Sequence, residues 1–464
     1  MIRRIGPVAL LSVAALAGCM PPDRPRPSAA GVVPPPTWRT VLPGNAAIDS
    51  TWWESFGDPE LTRLVTAALA NNPDVAIAVA RIGEARAQES LARAARFPTL
   101  DAGVGITEQR ALNALGRAST GTSAQPVFQS SYEVDLFGRI GDQIAAARLA
   151  GDAAAFAADA TRLSVAAATA SGYVTLRGLD ARIATVRATI ASRAEALRIA
   201  RSRAEAGYTS QLELRQAEAE YAGVVQTLPQ LELLARRQEN ALSLLTGTAP
   251  RAIDRGLALD RLVPPPIPAG LPSDLLRRRP DIAQAEASLA STDATLAAAR
   301  AQFLPTLRLS GSTGEVLSSA LSSPVGIWSV GASILAPLFR GGQLRAGLDT
   351  AASRRDQAAF AYQRTALTAF REVEDALAAV DRLAAQRRAL ENQRTALAET
   401  LRHATNRYRA GYSPYLEQLD AQRALFSAEL SLEQVRSDQL TALVAVYQAM
   451  GGGWERSAED AGTG

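Results

Sequence analysis

Few residues in this chain are equipped for chemistry. It has one histidine, His403, and one cysteine, Cys19, among 464 residues. A zinc site takes three or four such ligands, and a Ser-His-Asp set needs a histidine fixed by its neighbours, whereas His403 stands alone in a run of helix-forming residues. It reads as a solvated helix residue. Gly341-Gly342 is too little glycine to cradle a phosphate, and the many carboxylates single out no acid-base pair. We therefore expect no enzyme, no cofactor and no metal. What is left is a short constellation after Gly411, where Leu416, Asp420 and Arg423 are spaced i, i+4, i+7 and share one helix face. Spacing alone fits an exposed i, i+3 ion pair between Asp420 and Arg423 equally well, contributing roughly a few tenths of a kcal/mol.

A helical hairpin must position these residues. From Gly342 to Ala410 there is no proline and, after Gly347, no glycine, while Ala, Leu, Arg, Gln and Glu dominate, so helix propensity is high throughout. At 1.5 Å per residue this arm is on the order of 100 Å long. Ala410-Gly411-Tyr412-Ser413-Pro414 stops it. Glycine suits the left-handed residue past a helix end, Ser413 is a candidate cap, and Pro414 fits the first position of a helix running from about Tyr415 to Met450.

The device is used twice. Ala206-Gly207-Tyr208-Thr209-Ser210 echoes the later turn, and the pairs Leu212-Glu213 and Leu416-Glu417 follow the two turns. Gly207 and Gly411 are 204 residues apart, as are Gly247 and Gly451. Pro73 and Pro98 in one half, and Pro280 and Pro305 in the other, are each separated by 25 residues, and Leu136-Phe137-Gly138-Arg139 parallels Leu338-Phe339-Arg340-Gly341. The chain is a tandem duplication of a unit of roughly 200 residues, with hairpin tips at Gly207-Tyr208 and Gly411-Tyr412. In the first copy a long helix from about Ile140 to Glu205 carries Leu176, Leu179, Ile183, Val186, Ile190 and Leu197 at coiled-coil spacing. Pro229 is expected to kink its partner helix. From the sequence, such helices fit a solid intramolecular bundle as well as a hollow cylinder pooled from several chains.

The ends of the chain carry other signals. Arg3-Arg4, an apolar run from Val8 to Leu16, and Leu16-Ala17-Gly18-Cys19 have the layout of a bacterial secretory signal ending in a lipobox, with Cys19 as the future lipid-bearing residue. With one cysteine, no disulfide forms within the chain. Removing residues 1–18 takes Arg3 and Arg4 from the 49 basic residues and leaves 47 against 46 acidic ones. That near-neutral balance removes the electrostatic case for a nucleic-acid partner. Residues 20–45, rich in Pro, Arg, Ala and Gly, read as a tether.

Four short segments break the helical pattern. In Val127 to Leu136 the residues Phe128, Tyr132, Val134 and Leu136 alternate with Gln129, Ser131, Glu133 and Asp135, which is a strand with one apolar and one polar face. Leu100 to Ile106, Leu307 to Thr313 and Ile327 to Leu335 alternate more weakly. About ten residues is the length of a membrane-spanning strand, and such strands must close into a barrel. Four cannot close one alone, so they form either a small soluble sheet or a share of a barrel pooled between chains. After the leader, no apolar run is long enough for a membrane helix.

Trp52-Trp53 with Phe56-Gly57-Asp58-Pro59, the Asn72-Pro73-Asp74 helix start, Leu271-Pro272-Ser273-Asp274-Leu275-Leu276 and Arg278-Arg279-Pro280-Asp281-Ile282 resemble the outer-membrane factors of tripartite efflux pumps, more narrowly the TolC-like, NodT-type lipoproteins. The resemblance covers nearly the whole mature chain in the family's order. It implies a mainly α fold with a small β part: a long coiled-coil α-helical barrel plus a membrane β-barrel with four strands per chain, closed as twelve strands by a homotrimer. It implies an outer-membrane exit duct for drugs or other toxic compounds in a Gram-negative bacterium, with a long periplasmic extension. The partners implied are a periplasmic adaptor (membrane fusion protein), an inner-membrane RND-type transporter and outer-membrane lipid. Cys19 would carry the lipid, palmitate included, and Met20 after it favours sorting to the outer membrane. In the stretch matching the family's constriction, Leu416, Asp420 and Arg423 take gate positions, with Glu417 at a further acidic position. The first copy has Leu212, Gln216 and Ala219 there, so the two tips are not equivalent.

The expected division is a signal peptide at 1–18, a lipidated tether at 19–50, a first repeat at 51–249 with strands at about 99–110 and 126–137, a Pro-rich crossover at 250–272, a second repeat at 273–451 with strands at about 306–315 and 326–337, and a tail at 452–464. The alternatives are a periplasmic adaptor, which has one hairpin and abundant soluble β-structure, a purely structural coiled-coil lipoprotein, which has no need of strand pairs, and the duct of a type I protein secretion system.

Overall fold

The computed structural model describes residues 24–40, 48–112, 116–268, 270–319 and 321–454. The duplication is visible as matched elements. The first copy contains α1 (Pro59–Asn71), α2 (Pro73–Ala94), β1 (Thr99–Leu112), β2 (Ala118–Val134), α3 (Arg139–Glu205), α4 (Gln211–Val225) and α5 (Thr227–Leu245). The second contains α6 (Pro272–Arg278), α7 (Pro280–Ala301), β3 (Thr306–Ser318), β4 (Val325–Leu335), α8 (Gln343–Arg409) and α9 (Tyr415–Ala449). α2 and α7 have 22 residues each, α3 and α8 have 67 each, and both short helices open on proline, whose missing N–H costs nothing in a first turn.

The chain divides into two compact units. One comprises residues 1–31, 81–155 and 284–364 and holds the sheet. Its four strands form one antiparallel meander, β1-β2-β3-β4, leaving the outer edges of β1 and β4 without a partner among the described residues. A small core of Leu296, Leu348, Ala351 and Ala352, with Ala299 and Phe303 against it, packs α7 on α8. The strands are longer than the alternation suggested. β2 begins at Ala118 rather than near 126, because Ala118 to Pro126 is small and polar and carries no alternation to read. Pro126 has no N–H, and the β2–β3 ladder skips it, running from Ala124↔Leu317 to Val127↔Gly314. β2 stops at Val134, short of Leu136, because the Asp135 carboxylate accepts the Ile140 and Gly141 N–H groups and so opens α3.

The other unit comprises residues 32–80, 156–283 and 365–464 and holds the main aromatic core. Trp52 is fully buried, stacked on Tyr447 at 5.3 Å and edge-on to Trp53. Asp58, also buried, caps α1 through the Glu60 N–H and accepts from the Tyr173 hydroxyl at 2.8 Å and the Leu257 N–H at 2.9 Å. The Phe-Gly-Asp-Pro motif thus fastens the Pro-rich crossover to α3. Gly256 cannot carry a side chain there, since a Cβ would lie 2.0 Å from Asp58. The repeat recurs in the left-handed glycines that end α5 and α9: a Cβ on Gly247 would meet the Asn71 carbonyl, and one on Gly451 the Arg278 carbonyl.

Pro229 interrupts the partner helix of α3: the chain breaks into α4 and α5 at Gln226, around the Val225 carbonyl that a residue without N–H at 229 cannot use. Two local expectations change. Ser413 does not cap α9. Its hydroxyl makes no hydrogen bond, Pro414 occupies the cap position with extended backbone, and the helix begins at Tyr415. The Pro-rich N-terminal segment is strapped down where it is described. Arg24 pairs with Asp349, Arg26 with Asp293, and Arg355 donates to the Arg24 and Pro25 carbonyls, each at 3.0 Å. Further along, Trp38 donates to the Gly270 carbonyl at 2.8 Å and Arg39 N–H to Glu374 at 2.6 Å. Cys19 lies outside the described residues.

Candidate functional site

The ladders assign every strand residue to a face. Leu100, Ala102, Val104 and Ile106 stand opposite Ser130, Phe128, Pro126 and Ala124. Tyr132 and Val134 continue that face across to Leu309 and Leu307, and it ends on β4 at Trp328, Val330, Ala332 and Ile334. Over these residues the face is apolar apart from Ser130 and Thr313, with Glu108, Arg110 and Glu315 following toward the other end of the sheet, yet Trp328 is 77% and Val330 82% exposed in the single chain. The opposite face carries Asp101, Thr107, Gln129, Ser131, Glu133, Arg308, Ser310, Ser312 and Ser329. Phe128, Tyr132 and Val134 therefore lie on the apolar side, and Gln129, Ser131 and Glu133 on the polar one. No helix among the described residues is long and apolar enough to cross a membrane.

At the hairpin tips Gly207 and Gly411 take the left-handed conformation, at φ 76° and 78°, and Tyr208 and Tyr412 are exposed. The two hairpins meet through Tyr415 and Leu419 of α9 and Ala217 of α4, with Leu197, Ala200 and Tyr408 against them. Leu416, Glu417, Asp420 and Arg423 are exposed on the other side of α9. The four therefore form one solvated stripe beside the turn. Within it, Arg423 does not pair with Asp420. Its Nε donates to Glu220 on α4 at 2.7 Å, and Arg193 of α3 lies 3.5 Å from the other oxygen of that carboxylate, which is 8% exposed. Asp420 has no ion-pair partner among the described residues, while Glu417 lies 3.7 Å from Arg407. A second link joins the hairpins: the Tyr408 hydroxyl donates to Glu213 at 3.1 Å, and Thr209 donates to the same oxygen. Burial, with Glu213 beside it, raises the Tyr408 pKa, so the phenol stays a donor.

A family model described as outer membrane efflux protein matches residues 64–248 and 271–452, one segment in each copy of the duplication. The chain belongs to the outer membrane efflux proteins. It is 36% identical to the outer membrane protein OprJ of Pseudomonas aeruginosa over 97% of its own length and 96% of that protein. It is 34% identical to the toluene efflux pump outer membrane protein TtgC of Pseudomonas putida over 88% and 86%. The open state of the MtrE outer membrane channel of Neisseria gonorrhoeae superposes with a TM-score of 0.78 at 31% identity, covering 94% of this chain and 98% of that one.

This efflux protein is accordingly an outer-membrane conduit with a TolC-like fold and no catalytic role. His403, as expected, sits exposed on α8 beside Arg402. Sequence reasoning singled out the exposed stripe of the tip but missed the residues that hold it. Glu220 lies 203 residues before Arg423, close to the repeat spacing of 204, and that coincidence was the one signal that could have paired them.

Proposed function

We propose that three copies of this efflux protein close one twelve-stranded barrel and pool their helices into a hollow cylinder, with the stripe Leu416, Glu417, Asp420 and Arg423 as the periplasmic gate. The observation that carries this reading is the sheet: one apolar face, one polar face and two unpaired edges, in a chain with no membrane helix among its described residues. An open edge in lipid leaves each backbone group unsatisfied at several kcal/mol, so β4 of one copy must pair with β1 of the next. The strand ends permit it, since Leu335 closing β4 and Thr99 opening β1 lie at the same end of the antiparallel meander. The units fall at 51–249 and 273–451, joined by the crossover at 250–272.

Around a three-fold axis, three Asp420 carboxylates without side-chain partners repel, so closure depends on the Leu416 ring and on the α4 contacts that hold α9. Cargo arrives from a periplasmic adaptor and an inner-membrane RND-type transporter, which supply the energy. Toluene, named for one relative, indicates that the cargo includes apolar toxic compounds. In planar bilayers the double variant Leu416→Ala/Asp420→Ala is expected to raise single-channel conductance and, in cells, to admit large antibiotics, with the trimer intact. Unchanged conductance in a normal trimer removes the gate and leaves the duct.

A further inference from the structure

The chain carries a second exposed apolar surface, distinct from the strand face and concentrated where strands meet helices. Leu338 and Phe339, just past β4, are each 89% exposed, Phe97 just before β1 is 70%, and Leu136 and Phe137 just past β2 are about half exposed. All five lie at one end of the sheet, because β1 and β3 begin there and β2 and β4 end there. Interleaved with them are exposed arginines. Arg96 precedes Phe97, Arg340 follows Phe339, and neither has an ion-pair partner among the described residues. Two acids of this layer are already used, while Asp142, in the first turn of α3, is half-buried beside Asp135. Glu133 accepts two hydrogen bonds from Arg139, at 3.2 and 2.7 Å, and Asp135 holds the backbone of α3. The collar thus presents apolar side chains beside two exposed arginines that make no ion pair among the described residues, adjoining the apolar strand face.

We propose that this collar binds anionic phospholipid head groups of the periplasmic leaflet, of the phosphatidylglycerol type, with acyl chains against Phe97, Leu338 and Phe339 and the phosphate against Arg96 and Arg340. Guanidinium forks suit phosphate, and membrane barrels carry girdles of aromatic residues at their interfaces. The inference rests on the trimeric reading above, because the β4–β1 seam is what brings Leu338-Phe339-Arg340 of one copy beside Arg96-Phe97 of the next. Each site is completed by a second chain, giving three per trimer. The leaflet follows from topology, since this end of the sheet leads into the long helices.

Native mass spectrometry of the detergent-solubilised protein, titrated with phosphatidylglycerol or phosphatidylcholine, tests it. Wild type is expected to retain phosphatidylglycerol in preference, up to three per trimer. Arg96→Gln/Arg340→Gln should lose that preference, by on the order of fivefold per arginine. Raised salt should abolish the preference in wild type without dissociating the trimer, a control that stands even if the double variant assembles poorly. Equal retention of the two lipids by a wild-type trimer, or an unchanged preference in an assembled double variant, overturns the lipid site alone. Monomer masses throughout overturn the trimeric reading and the seam with it.

Discussion

At the scale of single residues, Arg423 and Asp420 look alike in the sequence and differ in their surroundings. Arg423→Ala removes the nearer charge partner of a carboxylate that is 8% exposed. Arg193 remains, and Arg423 itself is half exposed, so the expected loss is about 1–2 kcal/mol rather than the larger cost of breaking a fully buried pair. Asp420→Ala touches nothing in the chain and should change stability by less than about 0.5 kcal/mol. Thermal or urea unfolding of the two variants checks this; equal losses would mean that the link to Glu220 does not hold α9. The stripe was legible from i, i+4, i+7 spacing. Its partners were not, because helical periodicity within α9 says nothing of α4, and the near-match of their 203-residue separation to the repeat was the only trace.

At the scale of elements, the faces of β2 give a direct comparison. Phe128→Arg, well inside β2 on the apolar side, should cost roughly 2–4 kcal/mol, Val134→Arg at the strand end only about 0–1 kcal/mol, and Gln129→Arg on the polar side much less than Phe128→Arg. The readout is the amount of heat-resistant assembled protein in the outer membrane, and equal loss argues against a spanning strand. Asp58→Ala tests another element, the crossover. It strips a buried site of a capping acceptor and of its bonds to Tyr173 and Leu257, for a loss of about 2–4 kcal/mol. Proteolysis should then cut between residues 250 and 272 sooner than in wild type; unchanged cleavage would show that the crossover is held by other contacts. The long helices were legible almost to the residue, since 67-residue runs without internal proline leave no alternative. The strand ends were not, because Ala118 to Pro126 owes its conformation to neighbouring strands and not to its own pattern.

At the scale of the whole molecule, Cys19 is proposed as the lipid-bearing residue, and Cys19→Ser should abolish metabolic labelling by a fatty acid; label that persists would sink the assignment. Barrel and lipid then anchor the same chain, and one acyl chain adds only marginal binding by itself. The duplication and the four strands were readable from one sequence, but closure was not. The proposed seam lies between β4 and the β1 of another copy, and pairing between chains is invisible to any pattern within one. The clasp of Arg355 on the Arg24 and Pro25 carbonyls has a consequence for that anchor. Four residues stand between Cys19 and Arg24, and the five steps of chain reach at most about 18 Å when fully extended. A lipid carried on Cys19, as proposed, would therefore be attached within that radius of the clasp on α8. The strap would then act as a ruler for the depth of the proposed barrel, and lengthening the leash by inserted residues would free the lipid from it without removing it.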